Sequence, residues 1–154
     1  MKTTSPTDIL RKEHDKVLGV LDDLEKGIGA RDIPSLKKGI ALLEREFDRH
    51  SLRKEEEALF PEIEKFIPRE GGPTGMMVME HKELVGLIKS FKQHLKAGDV
   101  GKLGDTGGRI FSILRPHISK ENDILFMIAD MHLDDRQKKA ILEKFKEFDA
   151  AGRG

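Results

Sequence analysis

The sequence contains no cysteine. This excludes disulfide bonds, thiolate-ligated metals and cysteine-held iron–sulfur clusters. It also lacks a net charge, because Lys+Arg and Asp+Glu each number 28 in 154 residues. A balanced chain offers no field that would gather nucleic acid or an anionic membrane, so neither is expected as a partner. No apolar run approaches the roughly 20 residues needed to cross a bilayer. The start, MKTTSPTD, is polar and has no apolar region of the signal-peptide kind. A cytoplasmic protein is therefore expected. Val and Ile never cluster with period-two alternation, which leaves no strand signal.

What is present is a chain long enough to bury one substantial core, read as a single domain over 1–154. Apolar residues recur at spacings of three and four, so the expected fold class is all-α. Ser5-Pro6-Thr7-Asp8 reads as a helix start with Asp8 as capping partner. Leu10, His14, Val17, Leu21, Leu24 and Ile28 form the stripe that follows, up to Gly27 and Gly29. Asp32-Ile33-Pro34-Ser35 opens a second helix with Leu36, Ile40, Leu43, Phe47 and His50, expected to reach Ile67 with a kink at Pro61. PREGGPTG (68–75) is the clearest break. A third helix carries Met77, His81, Leu84, Ile88, Phe91 and Leu95 and stops near Gly98. The fourth carries Ile110, Leu114, His117, Glu121 and Leu125, and Gly101, Gly104, Gly107 and Gly108 argue against helix at its start. Asp134 caps a short fifth helix, about 134–149, with Ile141, Phe145 and Phe148 on its apolar face.

The chain repeats internally. A shift of 67 residues places Leu10 on Met77, His14 on His81, Val17 on Leu84 and Leu21 on Ile88, and carries His50 to His117. Glu-His occurs at 13–14 and again at 80–81. Two helical hairpins related in this way make an up-down-up-down four-helix bundle over about 6–131, with one histidine at an equivalent core-facing position on each helix.

A lone histidine on an apolar face is ordinarily a core residue with one hydrogen bond. Four in register are different, because clustered neutral imidazoles would leave ring nitrogens unpaired at about 1–3 kcal/mol each. A metal uses those lone pairs. His117 and Glu121, four residues apart, project from one face of a helix and can serve one metal or two adjacent ones. Mixed imidazole and carboxylate ligation suits iron, manganese or zinc. The first half does not copy this pair. A shift of 67 residues sets Lys54 opposite Glu121, whereas alignment from Phe60 and Phe126 sets Glu55 there, one residue further from its histidine. Five residues on an α-helix turn Glu55 by about 140° from His50. A π-helical turn brings such positions together. The order of candidates is Glu55, then Glu57, then Glu56, and at least one of the three is a solvated face. His94 and His132 lie too far along their helices to join and are expected at the surface. Met76, Met77 and Met79 are read as core filler.

KEHDKVLGVLDDL, RHSLRKEEEALFPEIEK, EGGPTGMMVMEHKELVGLI and LRPHISKENDILF resemble, in order, the segments of hemerythrin-like (HHE cation-binding) domains. The resemblance spans roughly residues 7–131. It implies a non-haem di-iron centre in the bundle, with His14 and His81 as single ligands and with His50–Glu55 and His117–Glu121 as ligand pairs. Val85 stands where oxygen-carrying members have a further histidine, which makes this chain similar to the four-histidine, two-carboxylate members that repair iron centres or act as bacterial sensors. The cysteine-bearing N-terminal extension of the repair proteins is missing, and there is no tyrosine to form a radical. The implied cofactor is iron, with manganese or zinc as alternatives, and the implied small ligand is O2, NO or peroxide. The implied role is binding or sensing such a ligand, or handling iron. The alternatives are a di-iron peroxidase or NO-handling enzyme and a metal-free interaction module. The sequence sets no oligomeric state.

Overall fold

The computed structural model describes residues 5–152, apart from the side chains of residues 48–50. Helix α1 (Pro6–Ala30) begins with Pro6 in its first turn, where a missing N–H costs nothing. The Ser5 side chain does not cap it. Thr7 Oγ1 instead donates to Asp130 Oδ1 (2.5 Å) and Ser5 Oγ to the same oxygen (3.3 Å), tying this end to the end of the fourth bundle helix. Asp8 pairs with Arg11 rather than capping. The helix closes on Arg31 in the left-handed region (φ 55°), whose N–H bonds back to the Ile28 carbonyl.

Helix α2 covers residues 33–63 and starts with the Ser35 N–H donating to Asp32 Oδ1 (3.3 Å). It ends four residues before the expected Ile67, and it leaves α geometry earlier than Pro61, where the sequence places a kink. Glu44–Leu52 and Glu55–Leu59 are π-helical. Helix α3 (Pro73–Ala97) runs from Gly72 to a left-handed Gly98. Helix α4 covers 100–132 and includes all four glycines expected to weaken its start. Asp99 caps it by accepting from the Lys102 N–H (3.1 Å). Tertiary packing overrides glycine's poor propensity here: a Cβ on Gly107 would lie 2.5 Å from Ile28 Cδ1 and 3.4 Å from the Phe91 ring. A π-helical turn, Glu121–Leu125, interrupts α4 as well. Helix α5 (Asp135–Gly152) begins with the Gln137 N–H donating to Asp134 Oδ1 (2.8 Å) and runs beyond the expected residue 149.

The hairpins α1–α2 and α3–α4 close into a bundle through α1–α4 and α2–α3 contacts, while α5 packs across the π-helical part of α2 and against α1. The fold is all helical among the described residues, as the periodicity predicts. The apolar interior has two parts. One, containing Val17, Leu43, Leu84 and Leu114, fills the end of the bundle bearing the α1–α2 turn. The other, containing Leu10, Leu59, Phe60, Met77, Phe126, Ile141 and Phe145, fills the opposite end and takes in α5. The buried polar residues lie between them along the same helical stripes: His14 follows Leu10 and precedes Val17, and His81 stands likewise between Met77 and Leu84. No helix among the described residues is long and apolar enough to cross a membrane.

Candidate metal centre

Helical periodicity alone puts His14, His81, His117 and Glu121 inside, because each continues the apolar stripe of its helix. Glu55 arrives by a different route. The first half has one residue more than the second between its histidine and its phenylalanine, and the π-helical stretch Glu44–Leu52 widens the helix where that residue must be absorbed. A second π turn then starts at Glu55, as the turn in α4 starts at Glu121. Glu55 is buried at 1% exposure and Glu121 at 0%.

The five side chains converge. His14 Nε2 lies 3.0 Å from Glu55 Oε2 and 3.4 Å from Glu121 Oε1. His81 Nε2 lies 3.1 Å from Glu55 Oε1, and His117 Nε2 lies 3.0 Å from Glu121 Oε1, the oxygen that His14 also approaches. The two Nε2 atoms of His81 and His117 are 3.0 Å apart. One ligand atom from each of Glu55, His81, His117 and Glu121 lies within 4.8 Å of all the others. The side chain of His50, the remaining candidate, lies outside the described residues; its backbone belongs to the π-helical stretch.

Each imidazole is fixed from behind. His14 Nδ1 donates to Asn122 Oδ1 (2.7 Å), His81 Nδ1 to Glu56 Oε2 (2.6 Å) and His117 Nδ1 to Glu80 Oε1 (2.7 Å). An oxygen acceptor at Nδ1 sets the tautomer, so each Nε2 is the atom available inside the site. Sequence reasoning missed Glu80 and Asn122, and it weighed Glu56 only as a ligand, not as the acceptor behind His81. For Glu80 the signal was available in the repeated Glu-His dipeptide; Glu56 and Asn122 sit beside the two inward glutamates and have no pattern of their own. Glu57, ranked second as a ligand, is instead the exposed member of the acidic run and bonds Arg53 (2.7 Å), while the third-ranked Glu56 is half-buried behind His81.

Without a cation, protons balance the cluster. Burial raises the Glu121 carboxyl well above the ordinary range, reinforced by the adjacent Glu55 charge and hydrogen bond. Burial pushes Glu55 the same way, but hydrogen bonds from Glu121, His14 and His81 outweigh it and hold Glu55 well below that range. Burial opposes the charge on His81, yet its bonds to Glu55 and Glu56 and the charges of Glu55 and Glu121 push it up to about 10. His14 is likewise raised, against burial, by Glu55 and Glu121. His117 is lowered by burial and stays neutral beside the charged His81.

This donor set fits a cation. Both oxygens of Glu121 and Oε1 of Glu55 are buried and have only the neighbouring imidazoles and each other for company, with no well-aligned hydrogen bond, a costly state that a metal would relieve by taking their lone pairs. Three imidazole nitrogens and two carboxylates without sulfur match borderline to hard divalent metals.

Lys54, the residue opposite Glu121 under the 67-residue shift, does not enter the cluster. It is buried at 3% exposure, where its ammonium holds Glu13 Oε2 (2.6 Å) and Asp149 Oδ1 (2.8 Å). His132 is exposed and packs on Phe66, and His94 is half-buried near the far end of α3. Of the three methionines read as core filler only Met77 is in the core. Met76 and Met79 are exposed.

A four-helix bundle with histidines and glutamates meeting in its interior defines a metal-binding bundle protein as a class. The profile of the hemerythrin HHE cation binding domain matches residues 5–129. The chain belongs to that family. No curated protein and no solved structure matches it.

Proposed function

We propose that the chain is a non-haem di-iron protein that binds or senses a small ligand of the O2, NO or peroxide kind. The observation that carries this reading is the convergence of three Nε2 atoms on two fully buried carboxylates whose oxygens make no well-aligned hydrogen bond outside the cluster. His14, His81 and His117, together with Glu55 and Glu121, would hold the metal. His50 is proposed as a further ligand only from its place in the repeat, as the counterpart of His117. Iron bound by these residues would supply reversible binding of a small ligand and electron exchange with it. The protein's own part is to orient the imidazoles through Asn122, Glu56 and Glu80, and to keep the surroundings dry with Leu10, Phe60, Phe126 and Val17. The whole chain acts as one domain in this reading, α5 docking on the bundle through Ile141 and Phe145, and its setting is the cytoplasm.

Metal content of variants tests the assignment. Glu121→Gln and His117→Ala should lose most of the bound iron, while Glu57→Gln and His94→Ala should keep it. Equal iron in all four would refute the ligand set.

A further inference from the structure

The two halves of the bundle are alike inside but differ in what covers them. At the site end, Ile9 and Leu10 of α1 and Ala58 and Leu59 of α2 share one apolar cluster, and Lys54 of α2 holds Glu13 of α1 beside it. Helix α5 lies on this side, with Ile141 and Phe145 in the shared apolar cluster. Asp149 reaches Lys54 at 2.8 Å, and the Phe145 ring sits 5.5 Å from the same ammonium. The 67-residue shift carries Ile9 and Leu10 to Met76 and Met77, and the alignment from Phe60 and Phe126, one residue shorter, carries Lys54, Ala58 and Leu59 to Lys120, Ile124 and Leu125. Those five residues line an open groove of about 230 Å³ between α3 and α4, next to Gly72 and Pro73. The correspondence extends to the charge: Lys120 holds Glu80 Oε2 at 2.8 Å as Lys54 holds Glu13.

The difference is exposure. Lys54 is 3% exposed and Lys120 38%. Ala58 is buried, whereas its counterpart Ile124 is 54% exposed, as is Met76. Met79, three residues after Met76, and Met127 and Met131, three and seven after Ile124, are exposed as well. A contiguous exposed apolar patch beside a cation marks an interaction surface, and methionine suits it because its flexible thioether adapts to a partner.

We propose that the α3–α4 groove is a docking site for an amphipathic helix of a partner protein, with the chemistry that α5 supplies to the equivalent groove. That chemistry is two apolar residues four apart, as Ile141 and Phe145, followed four residues later by a carboxylate, as Asp149. The carboxylate pairs with Lys120. The chain's own α5 is not the occupant, because its apolar face is already buried on the other half. The proposal does not depend on which metal the centre holds.

The probe is a synthetic peptide of residues 134–152 added to the full chain labelled at its methionine methyl groups. Saturable shifts at Met76 and Met79 are expected. Ile124→Asp should weaken binding at least about tenfold. Lys120→Glu should weaken it similarly, and a peptide carrying Asp149→Lys should restore it, since reversing both charges rebuilds the pair. An absence of shifts at these methyls, or shifts indifferent to Ile124→Asp, would overturn the proposal. So would a concentration-dependent dimer in sedimentation that Ile124→Asp abolishes, since the occupant would then be a second copy.

Discussion

The centre is organised residue by residue around the back of each imidazole. Glu80 accepts from His117 Nδ1 and also holds Lys120, which lowers its own pKa against the effect of burial. Glu80→Gln keeps the shape but weakens the charge-assisted bond, so metal affinity measured by chelator competition should fall about 10–100-fold with little change in melting temperature. The same logic sets the pH dependence. His81 is pushed up to about 10 and so carries a proton at neutral pH that a metal must displace. Metal binding at pH 7 should release at least one proton per chain, seen by calorimetry in buffers of differing ionisation enthalpy, and affinity should rise with pH toward 10. In metal-free protein the sign is opposite for stability. A histidine whose folded pKa lies above 6.5 stabilises fully below 6.5 and loses that contribution as pH passes 10. Denaturant midpoints of metal-free protein should therefore drop between pH 7 and 10.

At the scale of elements, the glycines divide into two kinds. A Cβ on Gly75, in the first turn of α3, would collide with the Arg69 backbone carbonyl, whereas one on Gly108 would meet nothing within 4 Å. Gly75→Ala should therefore destabilise by about 1–3 kcal/mol, while Gly108→Ala should stabilise by up to about 1 kcal/mol through helix propensity. Thermal melts of the two variants distinguish them. These glycines also show where the sequence is legible. Helical stripes, the repeat and four inward residues (His14, His81, His117 and Glu121) follow from periodicity, which depends on local spacing. The helical start of α4 did not, because the reason for Gly107 is Ile28, far away in sequence. Glu55 was legible only as a ranked choice, since its inward direction depends on two π-helical stretches that apolar spacing does not encode. The backs of the imidazoles were hidden for the same reason: Asn122 bonds His14 from another helix.

At the scale of the molecule, the polar layer separates two apolar clusters and α5 completes only one of them. Phe145 is 2% exposed within that cluster, so Phe145→Ala should cost about 3–5 kcal/mol in denaturant unfolding. It also removes the ring beside Lys54, on the side of the bundle that carries His14. The asymmetric cover leaves the α3–α4 groove open next to the centre, which places the proposed docking helix one turn from Glu121.

The most direct test of the central claim is elemental analysis of protein purified without chelator or nickel resin, read together with its visible spectrum. The reading predicts about two irons per chain with a near-ultraviolet band from an oxygen-bridged pair. One zinc, or no metal after anaerobic loading with ferrous iron, would contradict it.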